Sequence, residues 1–257
     1  MRVAADPFTG KRITPGQYRE KYAGFLDVTT IASSCLPALC PLCAAALGLN
    51  HDTGRDSNLT FVHPDDVFCP MRSLRHQYVV SPRQDEIPEV SAALRTSFFS
   101  RWRKHWFQFR KHAKHADIST FIGLLKYADS NGIWKYPGIK EHEIVAVLLA
   151  LKDFEREVII EKGLLRQCWT RFWFESPVVS LDDFWTLPDV KRRIVKAIYF
   201  TPEDIIPIGS VDLHSFKIID IEQEYLSAGG DLLAHRHVER RMLRAFSKEL
   251  AGTVLCW

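Results

Sequence analysis

Residues 35–70 read CLPALCPLCAAALGLNHDTGRDSNLTFVHPDDVFCP, and four of the six cysteines in the chain fall inside this stretch. Cys40-Pro41-Leu42-Cys43 is a C-x2-C knuckle, a tight turn that points both thiolates at one ion while backbone N–H groups face the sulfurs. After it, AALGLN, a polar turn HDTGRDSN and LTFVH read as a short β-hairpin. The hairpin returns His63 toward the knuckle, and Cys69 follows before a second proline. The set Cys40, Cys43, His63 and Cys69, spaced C-x2-C-x19-H-x5-C, predicts a closed tetrahedral zinc site. Three thiolates and an imidazole, with no carboxylate and no open position, assign the metal to structure rather than catalysis.

Cys35 is an alternative ligand in place of His63 or Cys69, because C-x4-C is also a workable ligand spacing. His51 lies at the hairpin tip and is expected in solvent. Cys168 and Cys256 stand alone and read as packing cysteines. Residues 38–70, CPLC…AAL…G…LTFVH…CP, resemble the N-terminal zinc-ribbon region of CoiA-like competence proteins. On that resemblance Cys40, Cys43 and His63 fall on ligand-bearing positions, and a restriction-nuclease-like core is implied further along. Ala44 departs from the pattern, standing where a glycine often follows the knuckle. The implied core needs an acidic residue on one strand and an E-x-K-like pair on the next. The segment VDLHSFKIIDIEQEY offers Asp212, Asp220, Glu222 and Glu224 without the lysine, and EVIIEKG offers Glu157, Glu161 and Lys162 without a preceding acidic strand.

A chain of 257 residues with 46% apolar and 25% charged residues buries a core without covalent staples. Clustered cysteines therefore point to a metal in a reducing compartment rather than to disulfides. The expectation is a cytoplasmic protein with no membrane segment: no apolar run reaches spanning length, since TTIASSCLPALCPLCAAALGL carries two prolines and three cysteines. The net charge of +3 says little about partners.

VSPRQDEIP (80–88) reads as a linker between a zinc-ribbon region (1–80) and a mainly helical domain (88–257). The expected fold is thus mainly α, a small zinc ribbon followed by a multi-helix domain. Helices are expected over 89–115, over 118–129 capped by Asp117, over 139–160 as a central buried helix, and over 162–174. Ser180 caps another, Pro188 opens the next, and 231–250 is the last, between Asp231 and Gly252. Residues 211–221 read as strand or loop.

Residues 95–115, RTSFFSRWRKHWFQFRKHAKH, hold seven Lys/Arg, three His and no acidic residue. On a helical wheel Phe98, Trp102, Trp106, Phe109 and Ala113 share one arc, the expected core face. Arg103, Lys104, Arg110, Lys111 and Lys114 lie opposite, with Phe107 among them. A cationic face with one aromatic suits phosphate contacts plus base stacking. Other motifs are incomplete. HEIVA at His142 has Ala146 where a zinc-protease helix places its second histidine, and the His235 and His237 rings of HRH fall on different helix faces. The sequence therefore supports a non-enzymatic zinc-ribbon protein that binds nucleic acid. Two alternatives stand beside it: an interaction adaptor or homo-oligomer using a surface around Trp169, Trp173 and Trp185, and a nuclease by resemblance only.

Overall fold

The computed structural model describes residues 1, 3–23, 37–51, 59–65, 67, 69, 78, 80, 88–161, 164–175, 178, 180–187, 190, 192–200, 213–227 and 235–250. Among the described residues are seven α-helices and two antiparallel sheets, so the architecture is mixed α/β and corrects the mainly α expectation. The chain divides into two compact units, Met1–Arg75 with Tyr199–Ser215 and His76–Ile198 with Phe216–Trp257. No described helix is long and apolar enough to cross a membrane.

The first unit holds β1 (Ala4–Ala5), β2 (Arg12–Ile13), α1 (Pro15–Tyr22), β3 (Ala38–Leu39), β4 (Ala46–His51) and β5 (Leu59–Val62). They form one sheet in the order β2-β1-β3-β4-β5. The expected hairpin is β4–β5, in register from Gly48↔Val62 to His51↔Leu59. Helix α1 lies outside the elements expected from sequence, although Thr14-Pro15-Gly16-Gln17 carries its signal. Thr14 and Gln17 form a reciprocal capping box, and Pro15 occupies the first turn, where its missing N–H costs nothing. The buried Asp6 carboxylate docks this helix, accepting from Lys21 Nζ (2.6 Å), Tyr22 Oη (2.8 Å) and the N–H groups of Phe8 and Thr9. The Lys21 ammonium, before those other donors, holds the Asp6 carboxyl far below the usual carboxylate range. Tyr18 of α1 packs edge-on against Phe61 of β5 at 5.6 Å.

The second unit opens with α2 (Pro88–Ser100), α3 (Trp102–His112), α4 (Ile118–Ser130) and α5 (Glu141–Ala150). The single helix expected over 89–115 is broken at Arg101, whose φ of −112° and ψ of 18° leave the helical region. Asp117 caps α4 as expected, accepting from the Thr120 N–H at 2.8 Å. Helix α5 is the central buried helix, with every residue from Glu143 to Ala150 buried. It stops ten residues short of the expected end. The chain then enters β6 (Phe154–Glu161) and β7 (Leu164–Phe174), paired antiparallel from Phe154↔Thr170 to Glu161↔Leu164. Strand β7 replaces the helix expected over 162–174. The reason is visible in its burial: Thr170 to Phe174 are buried in succession, and a run buried on both faces has no period to separate strand from helix.

Helix α6 (Asp183–Thr186) is a single turn with Asp182 as its N-cap, while the Ser180 N–H donates to Asp183 Oδ2 at 2.7 Å. Strands β8 (Arg193–Tyr199) and β9 (Leu213–Asp220) complete a sheet of order β6-β7-β8-β9. Strand β8 stands where a helix opened by Pro188 was expected; Pro188 itself lies outside the described residues. The last helix is α7 (Arg236–Ala245), shorter than 231–250, and its expected caps Asp231 and Gly252 also lie outside the described residues.

The core of this unit is aromatic. Phe98 of α2, Trp102, Trp106 and Phe109 of α3 and Ala113 at its C-cap are all buried, as expected, although the break at Arg101 divides them between two helices. His105 joins them with none of its surface exposed, stacked on Phe98 at 3.8 Å between centroids. Its Nδ1 meets Tyr225 Oη at 2.9 Å and its Nε2 meets Glu141 Oε1 at 2.9 Å, while Arg101 also pairs with Glu141. The spacing 98, 102, 105, 109 already marks this histidine as core.

Burial pushes the pKa of His105 and His142 down, and burial together with the Lys111 and Lys196 charges pushes His112 down to about 4. A histidine whose pKa is lower folded than unfolded binds fewer protons when folded. Stability is therefore complete above the unfolded value of 6.5 and is lost as pH falls toward about 4. Thermal melts between pH 7.5 and 4.5 should show the second unit losing roughly 2–4 °C for each kcal/mol of this linkage. His112→Gln should flatten the slope, and an unchanged slope in that variant contradicts the assignment.

Candidate metal centre

The knuckle lies in the turn from β3 to β4. The Cys40 N–H donates to the Ala45 carbonyl at 2.8 Å, and the Ala44 N–H donates back to the Cys40 carbonyl at 2.9 Å. That closed loop leaves the Leu42 N–H directed at Cys40 Sγ, 3.4 Å away. Ala44 takes a left-handed conformation, φ 57°, to let the chain leave the turn. This is the position at which a glycine was expected, and the conformation explains why: a Cβ crowds the following carbonyl there.

The β4–β5 register does the rest. Gly48 pairs with Val62, so His63, the next residue, is returned toward the start of β4, just past the knuckle. Ligands far apart in sequence are thereby brought together. Cys69 completes the group, and the ligand atoms of Cys40, Cys43, His63 and Cys69 all lie within 4.8 Å of one another. Cys40 Sγ and Cys69 Sγ are 3.8 Å apart, and Cys43 Sγ and His63 Nε2 are 3.6 Å apart. A tetrahedron with about 2.3 Å to sulfur and about 2.0–2.1 Å to nitrogen has S–S edges of about 3.8 Å and S–N edges of about 3.5–3.6 Å. These two separations match such edges, and the Cys40–Cys69 distance is far too long for a disulfide.

Burial differs across the four. Cys40 and Cys69 are buried, at 2% and 4% exposure, while Cys43 and His63 are half-buried. The Cys40 thiol is pushed down to about 4, chiefly by its hydrogen bond with Cys69, with His63 and the Cys43 and Leu42 N–H groups adding to it. Burial pushes the Cys43 thiol up, and the charge on Cys40 adds to that. One thiolate is thus easily formed, and the next is opposed by the first. A bound divalent cation relieves the conflict by attracting every thiolate at once. Among the described residues this is the one group of His, Cys, Asp and Glu side chains placed to hold a metal ion.

The other candidate residues are dispersed. Cys35, Cys256 and Asp212 lie outside the described residues, as does the His51 side chain. Cys168 is buried in β7. Glu222 is in an ion pair with Lys111 at 3.1 Å. His235 is the N-cap of α7 rather than a residue inside it, so its ring stacks on His237 at 5.9 Å instead of pointing away. A cavity of about 20 Å³ between α3, α5 and β9, walled partly by His112 and His142, has room for a water and little more.

The basic side of α3 is partly consumed within the protein. Arg103 pairs with Glu239 at 3.0 Å and Lys104 donates to the Leu226 carbonyl at 2.8 Å. Arg110 donates to the Lys114 carbonyl at 3.0 Å. Phe107 is exposed, at 39%, with Arg110, Lys111 and Lys114 exposed around it. Of the tryptophans, Trp173 is buried at 1% and Trp169 is half-buried, while Trp185 donates from Nε1 to the buried Glu143 at 2.9 Å.

Comparison of the chain with protein-family models, curated proteins and solved structures gave no match. The resemblance of residues 38–70 to a zinc ribbon therefore stands on the ligand pattern and geometry alone.

Two outcomes follow from this geometry. Protein purified without chelator should carry one divalent metal per chain, and Cys43→Ser should release it while most far-ultraviolet circular dichroism remains; folded, metal-free wild type contradicts this. Ala44→Gly should relieve the left-handed strain and raise the stability of the first unit by about 1 kcal/mol. A neutral or destabilising result by denaturant titration contradicts that account of the knuckle.

Proposed function

We propose that the protein is a non-enzymatic nucleic-acid-binding protein whose first unit is held together by a structural zinc ion. Zinc is favoured because the donor set is three thiolates and an imidazole gathered within 4.8 Å, with the Cys40–Cys69 and Cys43–His63 separations at tetrahedral values. Four protein ligands leave no position for a water or substrate, which is why the role is structural. The nucleic-acid reading is carried by one observation: an exposed Phe107 surrounded by the exposed cations Arg110, Lys111 and Lys114 on α3. An aromatic ring standing among cations offers a stacking platform beside phosphate contacts. Arg103 and Lys104 contribute less on this reading, because each is half-buried against its acceptor within the protein, whereas the Lys111–Glu222 pair lies exposed.

The adaptor reading draws less support. Trp173 is buried, Trp169 is half-buried and Trp185 is tied to Glu143. The nuclease reading rests on the ribbon resemblance, and one of its candidate carboxylates, Glu222, is engaged by Lys111.

Phe107→Ala should weaken binding to single-stranded DNA or RNA by about 1–3 kcal/mol and leave the salt dependence of affinity nearly unchanged, since stacking releases no counterions. Anisotropy titrations at two salt concentrations separate the two quantities. Equal affinities for wild type and variant contradict the role given to this ring.

A further inference from the structure

Helix α7 carries a run of exposed positive charge. Its sequence RHVERRMLRA places Val238 and Met242 in the core. At 100° per residue, Arg236, His237, Arg240, Arg241 and Arg244 fall on the opposite side within about 140° of arc. All five are exposed. The two acidic residues within 235–250 are engaged by other partners: Glu239 pairs with Arg103 and Glu249 pairs with Arg95, each at 3.0 Å. Among the described residues, no hydrogen bond or ion pair engages Arg236, Arg240 or Arg244. Lys248, also exposed, extends the positive charge beyond the helix end.

Arg236, Arg240 and Arg244 form an i, i+4 row, with successive side chains about 6 Å apart along the axis. Like charges at that spacing repel and destabilise the helix. A bound polyanion removes the repulsion. Arginine rather than lysine is the residue that grips phosphate oxygens bidentately. The face also has a neighbour of the same sign. Arg241 is close enough to Asp117 to help lower its pKa, which places it beside the turn that carries the exposed Lys114 and His115. Asp117, the cap of α4, offsets part of the charge of Arg241, so the uncommitted row is Arg236, Arg240 and Arg244. An anionic membrane is the poorer occupant. The apolar side chains of α7 are spent on the core, so the helix has no apolar face to insert between lipids.

We infer that the Arg236–Arg240–Arg244 face of α7, with Arg241 beside it, is a contact surface for the phosphate backbone of nucleic acid. The inference deepens the nucleic-acid reading above and rests on it. The surface reads charge and spacing rather than bases, so it binds without sequence preference.

The test is an anisotropy titration of the full chain with a fluorescent 25-nucleotide single strand and its duplex, between 50 and 200 mM salt. The triple variant R236Q/R240Q/R244Q should bind more than tenfold more weakly at low salt. Its slope of log affinity against log salt should be shallower by about 2–3 units, one fraction of a counterion per lost phosphate contact. R236K/R240K/R244K should keep the slope, which guards against a folding defect, as does an unchanged melting curve. If wild type binds and the glutamine variant matches it in affinity and slope, the α7 surface is wrong and the Phe107 reading survives. If wild type binds neither nucleic acid at 50 mM salt, both are wrong. Charge-dependent binding to phosphatidylserine vesicles without binding to nucleic acid also overturns the inference in favour of a lipid surface.

Discussion

Three thiols and an imidazole gathered within 4.8 Å are an unstable group by themselves. Each thiolate formed raises the cost of the next, and a cation at the centre is what turns mutual repulsion into attraction. The first unit is arranged around that demand. A knuckle closed by two backbone hydrogen bonds supplies one pair of sulfurs, and the β4–β5 register supplies the histidine. The sheet itself is built of short strands, β1, β2 and β3 having two residues each. Strands of that length bury little, so the unit needs a second source of stability. The Asp6 cluster, which ties α1 to the sheet, and the proposed zinc share that role.

The second unit solves its stability by burial. Phe98, Trp102, Trp106 and Phe109 form a continuous aromatic layer against α5, and polar groups within it are paired. His105 is held between Tyr225 and Glu141, and Glu143 collects the Lys140 N–H, Trp185 and Arg192. Burying polar groups in this way is stable only while each finds its partner, which makes the imidazoles the part of the core most sensitive to acid.

What could be read from the sequence was what is local. The knuckle, the hairpin, the Asp117 cap and the core arc of α3 all follow from spacings of a few residues. The left-handed Ala44 was foreshadowed by a pattern that prefers glycine there. Helix α1 is announced by Thr14-Pro15-Gly16-Gln17, a capping box with proline in the first turn. Strands β6 and β7 were hidden for a different reason. Buried on both faces, β7 has no alternation, and its apolar run was indistinguishable from a buried helix. The Lys-Gly pair at 162–163, a hairpin signal, was the better guide. The basic segment shows a third limit. Counting cations cannot reveal that Arg103 is answered by Glu239, 136 residues away, or Lys111 by Glu222, 111 residues away. Such pairing shifts attention from α3 to the arginines of α7, which a count of residues 95–115 could not reach.

The central claim is that Cys40, Cys43, His63 and Cys69 enclose one zinc ion, and X-ray absorption at the zinc edge of the purified protein tests it most directly. The account predicts a first shell of three sulfurs at about 2.3 Å and one nitrogen at about 2.0–2.1 Å, with no oxygen ligand. A shell of nitrogen and oxygen only, or a folded protein with no metal edge at all, contradicts it.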